Sequence, residues 1–327
     1  MRTKILVVGI LFVGSLVSAQ VPVAKTEAVG ACATCSSNAG KVDEDLFSGV
    51  TNFQKIVDKG LSCENETAEN CLLIQWIEEK YREYPACKAF FADDQKGKPG
   101  PLAVMVAKSI ADDIAKNKFD SVFMKDNSDF DQPQICPGFK NMTPMQKVAF
   151  HTWIFELTAF PESGCNAGVT PNSASDVPNG PAVCLYQLEL AQSLRKWRGP
   201  NCARLTPDEI LKAEGCSACA LDEYKRHMTR FGHPFAKLSA DGTQKLDPAY
   251  WASHNPLTAA TRAKRDIFVA CKGKYKNDRK AQKANCVGSN EWEAPINFFK
   301  RLPRFPLCQT PEAKWELDQL KARGKVK

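Results

Sequence analysis

Apolar positions recur along this chain at the spacing of helices, and almost nowhere with the alternation of strands. Leu46, Phe47, Val50, Phe53, Ile56 and Val57 trace one face of a helix that stops at Gly60. Leu72, Leu73, Trp76, Ile77 and Tyr81 trace a second that ends near Pro85, and Leu102, Met105, Val106, Ile110 and Ile114 a third. These stripes read as core rather than as binding surface. After a stretch containing Pro and Asn, Thr143-Pro144-Met145-Gln146 gives a strong helix start: Thr143 caps, Pro144 suits the first helical position, and Gln146 completes a capping box. Val148, Ala149, Trp153, Ile154, Leu157 and Phe160 carry the stripe to Pro161. That proline has no N–H for the carbonyl of Leu157, so a kink or an end is expected there.

Residues 164–183 are rich in Gly, Pro and Asn and show no period, which leaves room for a short β-hairpin in a loop long enough to be functional. A helical pattern resumes over Cys184-Leu185-Tyr186-Gln187-Leu188-Glu189. Thr206-Pro207-Asp208-Glu209 opens a second capping box, in a helix expected to close at Gly215. Ser217 to Phe231 forms another helix stopped by Gly232, and Ala259–Ala270 and Trp292–Leu302 also read as helical. The fold class is therefore mostly α.

The first residues change the setting. Arg2 and Lys4 precede an apolar run from Ile5 to Val17, and Val17-Ser18-Ala19 supplies small residues for cleavage. This is the pattern of a secretory signal peptide, so a soluble, secreted or periplasmic chain starting at Gln20 is expected, without stable membrane insertion. Its fourteen cysteines suit an oxidising compartment and read mainly as disulfides of undeducible pairing. Two CxxC pairs, Cys32/Cys35 and Cys216/Cys219, have no His at ligand spacing, so neither zinc nor any other metal or cofactor is expected. Without Arg2 and Lys4 the formal net charge of +7 falls to about +5, a mild bias toward an anionic polymer such as a cell wall or simply a mixed solvated surface, and no basic stripe interleaved with aromatics argues for nucleic acid.

Within that frame Glu162 stands out. It follows Pro161 at the end of an apolar helix, where the partial negative charge of the helix terminus and an apolar surround both favour the protonated carboxyl. A carboxyl kept protonated is a general acid able to protonate a glycosidic oxygen, a pattern for which lysozyme is the type case. Taken alone, a Glu at a helix end is more often a cap or an ion-pair partner.

The neighbours add to it. The order "ESGCN", a loop containing Asp176, "CLYQLE" and "RKWRGPNC" resembles the lysozyme and lytic-transglycosylase superfamily, in its goose-type and soluble-transglycosylase branches. There a helix ends in Glu-Ser, a loop follows, and Gly-Leu-x-Gln opens the next helix. The resemblance spans about Thr143 to Asn201, with weaker echoes at Tyr250-Trp251 and "FPLC". It implies a lysozyme-like helical domain over 141–310, between an N-terminal helical region, 20–140, after the 1–19 leader, and a helical tail, 311–327.

The resemblance also implies roles. Glu162 corresponds to the catalytic acid, Ser163 to a residue that orients it, and Asp176 to a carboxylate that positions water, although an Asp in a polar loop is usually a turn former. Cys184, Leu185, Tyr186 and Gln187 correspond to the segment that binds the sugar beside the scissile bond. Cys184 replaces the family's Gly, and its added volume beside the acetamido pocket shifts preference toward de-N-acetylated glycan. Tyr186, Tyr250 and Trp251 are candidates for a sugar-stacking wall, and Arg195 and Arg198 for stem-peptide carboxylates, against the blander readings of core aromatics and a solvated helix face. The four histidines show no metal or nucleophile pattern, and His151 is expected to pack within its helix. The implied function is a secreted, monomeric enzyme cutting β-1,4 links in peptidoglycan strands. A lytic transglycosylase, a chitosanase-like enzyme and a non-catalytic glycan-binding protein are the alternatives.

Overall fold

The computed structural model describes residues 46–51, 53, 87, 100–125, 130, 135–166, 182–238, 245–247, 250–251, 254, 258–286 and 298–322. Residues 46–51 and 53 are helical with Phe47, Val50 and Phe53 buried; the rest of that run, the run at 72–81 and the leader lie outside the described residues. Helix α1 (Pro101–Asn117) buries Leu102, Ala103, Val106, Ile110, Ala111 and Ile114, the face its stripe predicts.

Helix α2 (Pro144–Ser163) is the axis of the fold. It opens on the predicted capping box: Gln146 N–H donates to Thr143 Oγ1 and Thr143 N–H to Gln146 Oε1. From Pro144 to Ala159 every residue except Gln146 is buried. A helix enclosed on all sides is a core element, yet this one also carries Lys147, His151, Thr152, Glu156 and Thr158 inward. Lys147 Nζ donates to the Met124 carbonyl at 2.9 Å, and the Thr152 and Thr158 hydroxyls donate back to Val148 and Ile154. Pro161 does not end the helix. It withholds one bond, near the terminus, and α2 runs on to Ser163 before Gly164 closes it at φ 62°.

The helix expected over 184–189 is instead a β-hairpin. Strands β1 (Ala182–Val183) and β2 (Leu188–Glu189) pair antiparallel, Ala182 with Glu189 and Val183 with Leu188. Cys184 and Gln187, at the two ends of the four-residue turn, have φ of 65° and 48°, which no right-handed helix accommodates. The next helix, α3, begins only at Gln192 (Gln192–Arg198), followed by α4 (Pro200–Arg204) and α5 (Pro207–Ile210).

Helix α6 (Ala213–Phe231) closes at Gly232 as expected but starts before Gly215, which therefore does not terminate its predecessor. A Cβ on Gly215 would lie 2.1 Å from the Glu209 carbonyl oxygen, so glycine is needed there for close approach of α5 to α6. Helix α1 packs on both α2 and α6, α2 meets α6 through His151 and Tyr224, and α3, α4 and α5 pack against α6. Strands β3 (Lys237–Leu238) and β4 (Lys245–Asp247) make a second antiparallel pair. Helices α7 (Ala259–Lys274) and α8 (Arg279–Asn285) follow, then a 3₁₀ turn, Leu302–Arg304, packed on α2, and α9 (Pro311–Ala322). One hydrophobic core runs from Phe47 to Ala313. No helix among the described residues is long and apolar enough to cross a membrane.

Among the described residues five disulfides tie these elements: Cys87–Cys165, Cys136–Cys308, Cys184–Cys216, Cys202–Cys219 and Cys271–Cys286. The CxxC pair on α6 is thus divided. Cys216 goes to the hairpin and Cys219 to α4. Among the described residues no group of three or more His, Cys, Asp or Glu is gathered for a metal.

Candidate active site

Glu162 and Ser163 occupy the last turn of α2, both half-buried, with no basic residue in that turn. The Ser163 hydroxyl donates to the carbonyl of Ala159 at 3.1 Å and to that of Leu185 at 2.8 Å. The second bond brings the Glu-Ser end of the helix against the hairpin turn. Beyond Gly164, Cys165 continues in a left-handed conformation, φ 60°, and is fixed by its bridge to Cys87. The Arg301 guanidinium lies 4.6 Å from the centre of the Phe160 ring, beside this terminus.

The turn Cys184–Gln187 is held from within. Gln187 donates its backbone N–H (3.2 Å) and its side-chain Nε2 (2.9 Å) to the Cys184 carbonyl. Trp251 Nε1 donates to the Tyr186 carbonyl at 2.9 Å. Cys184, Leu185 and Tyr186 have their side chains fully buried, and the Cys184 sulfur is bonded to Cys216. Tyr186 packs edge-on to Phe155 and beside Trp251, and burial pushes its phenol well above the usual range. Tyr186 and Trp251 are therefore core aromatics, and the stacking wall expected of them is not formed. Of the residues read from sequence, Glu162, Ser163, Gln187, Arg195 and Tyr250 remain partly accessible, while Asp176 lies outside the described residues.

A buried ionic cluster supports the far side of the hairpin. Arg198 donates Nη1 to the Glu189 carbonyl at 2.6 Å and Nη2 to the Tyr250 hydroxyl at 2.7 Å, and its Nε stands 3.6 Å from Glu223. Glu223, on α6, also accepts from Arg226 at 2.7 Å. Arg198 and Glu223 are both enclosed, so Arg198 belongs to neither a solvated helix face nor a free anion site. Arg195 is likewise committed, to the carbonyls of Leu190 and Leu205. Tyr250 is anchored through its hydroxyl, and burial raises its phenol, with the nearby Arg198 charge working against that shift.

One acid escaped the sequence reading. Glu156, on α2, is 2 % exposed, its Oε1 accepts no hydrogen bond, and burial holds its carboxyl well above the ordinary Glu range. The signal lay in Trp153-Ile154-Phe155-Glu156-Leu157, where one acid is flanked on both sides by apolar residues. His151 bonds the Tyr224 hydroxyl (2.8 Å) and the Phe123 carbonyl (3.1 Å) amid an aromatic surround. His254 bonds Thr158 (2.8 Å), and burial pushes both imidazoles down to about 3. Neither is positioned as a base.

No protein-family model, curated protein or solved structure matches the chain.

Proposed function

We propose that this chain is a glycosidase that cuts β-1,4 links in the peptidoglycan backbone, with Glu162 as its general acid. One observation carries the reading: the 2.8 Å bond from Ser163 to the Leu185 carbonyl. It joins the two motifs that the superfamily resemblance couples, across 22 residues of sequence. The left-handed Cys184 supports it as well, because the superfamily carries Gly at this position and glycine adopts that conformation without strain.

The chemistry follows from the acid. As the bond to the anomeric carbon lengthens, the ring gains oxocarbenium character and the leaving oxygen needs a proton. Glu162 supplies it and becomes a carboxylate facing the cationic ring. Water in hydrolysis, or a hydroxyl of the substrate itself in the route to an anhydro-sugar, then adds to the anomeric carbon and gives up a proton, which restores the Glu162 carboxyl. Gln187, the partly accessible residue of the turn, holds the sugar next to the scissile bond.

The preferred substrate is de-N-acetylated glycan. At the superfamily's glycine, this chain carries a cysteine locked to Cys216, and that buried bridge fills the space a glycine would leave behind the turn. With its many cysteines and the cysteine in place of the motif's glycine, the chain is similar to the deacetylation-specific lysozymes of predatory bacteria. Zymograms on normal and deacetylated walls, with wild type and Glu162→Gln, test the proposal. Clearing by wild type alone supports it, and clearing of neither wall by wild type overturns it. Mass spectrometry of the products then reports bond, product type and acetylation preference together.

A further inference from the structure

The whole chain carries 44 basic and 37 acidic residues, a formal net charge of +7. Between Ala259 and Cys286 stand nine Lys or Arg and two Asp, so this stretch alone accounts for the +7. The rest of the chain balances, with 35 residues of each sign. The stretch is α7, a short turn and α8, closed on itself by Cys271–Cys286. Gln282 Nε2 donates to the carbonyls of Lys272 (3.3 Å) and Tyr275 (2.9 Å), fixing one helix to the other. Among the described side chains of α7 and α8, Phe268 is the buried one. Arg262, Lys264, Lys274, Lys276, Arg279 and Lys280 are all exposed. Both acids have local tasks: Asp266 pairs with Arg265, and Asp278 caps α8 by accepting from Ala281 N–H.

We infer that this stapled basic arm is an electrostatic anchor for the carboxylate-bearing peptidoglycan wall, an inference that rests on the proposed function. A single exposed ion pair is worth little and is screened by salt, but a wall strand repeats its stem-peptide carboxylates, so many weak pairs act together. The effect is to concentrate the enzyme on its polymeric substrate. A bilayer fits less well. The large exposed apolar residues described on α7, Ile267 and Val269, are two positions apart, roughly 200° around a helix, and share no single face to insert. Single-stranded nucleic acid fits less well too, because Phe268 is buried and Tyr275 lies half-buried beside Lys274, leaving no stacking platform among the described residues of the arm.

The test is co-sedimentation of the full-length Glu162→Gln chain with purified sacculi at low salt and at roughly 0.5 M salt. Combining Lys274→Gln, Lys276→Gln, Arg279→Gln and Lys280→Gln is expected to weaken low-salt binding about tenfold or more and to flatten its salt dependence. A second set, Arg262→Gln with Lys264→Gln, gives a smaller loss in the same direction and guards against misfolding of the first. Unchanged binding by both sets overturns the anchor. So does retention of the parent chain on anionic vesicles or duplex DNA as tight as on sacculi. In the otherwise wild-type chain, the fourfold variant cleaves a short soluble glycan at an unchanged rate. If wild type cuts neither wall nor oligomer while arm-dependent binding persists, the proposed function falls and the anchor stands.

Discussion

Ser163 and Leu185 are joined side chain to backbone at 2.8 Å, and the same hydroxyl also reaches Ala159 within its own helix. The hydroxyl thus ties the end of α2 to the hairpin. Ser163→Ala is expected to cost about 1 kcal/mol in urea unfolding. It should also lower kcat/KM on deacetylated wall by about tenfold, because Glu162 loses its fixed relation to the sugar-binding turn. Ser163→Thr keeps the hydroxyl and should recover most of both.

The Cys184–Cys216 bridge makes a second prediction, best made with both cysteines replaced so that no thiol is left over. Cys184→Gly with Cys216→Ala opens a 32-residue separation and should cost about 3 kcal/mol of stability. If the bridge sets substrate preference, the double variant gains activity on acetylated wall relative to deacetylated wall. An unchanged ratio of the two rates sinks that account.

Arg198 reaches three elements at once, through Glu189, Tyr250 and Glu223. Arg198→Ala leaves Glu223 with less compensation in an enclosed site and should destabilise the fold by about 3 kcal/mol. Arg198→Lys should rescue little, since one ammonium cannot span the directions of a guanidinium fork. Hydrogen exchange at the hairpin amides would report the loosening directly.

Stability should depend on pH in a particular way. His151 and His254 are held neutral with folded values of about 3, below the unfolded 6.5, so their contribution is complete above 6.5 and is lost as pH falls toward 3. Glu156 has the opposite sign. Its folded value is raised, so its contribution is complete below about 4.5 and is lost as pH rises. Each group contributes a slope of at most about 1.4 kcal/mol per pH unit. Falling pH below 6.5 therefore withdraws the histidines' contribution and rising pH above 4.5 withdraws that of Glu156, so these three groups together favour an intermediate pH. Thermal unfolding across pH checks this, and Glu156→Gln should remove the decline on the alkaline side.

Local rules explain what was legible. The capping boxes at Thr143 and Thr206, the stripe of α1 and the stop at Gly232 depend on residues within a few positions of one another, and all appear in the structure. The misreadings share a tertiary cause. A helix over 184–189 satisfied the spacing of Leu185 and Leu188, but the strand pairing and the bridge to Cys216 impose left-handed residues on the segment. Gly215 looked like a stop because the approach of the Glu209 carbonyl is invisible in sequence. At the site, both motifs could be read one at a time. Their contact through Ser163, the enclosure of Arg198 and the burial of Glu156 required knowing which elements become neighbours.

The Cys136–Cys308 bridge closes a ring 172 residues around, and α2, the hairpin, α6 and the basic arm all lie inside it. A protease that cuts this ring once anywhere along its length leaves two ends but a single covalent molecule. The nicked chain still migrates as one species until the disulfides are reduced. Damage of that kind opens a loop without releasing a fragment.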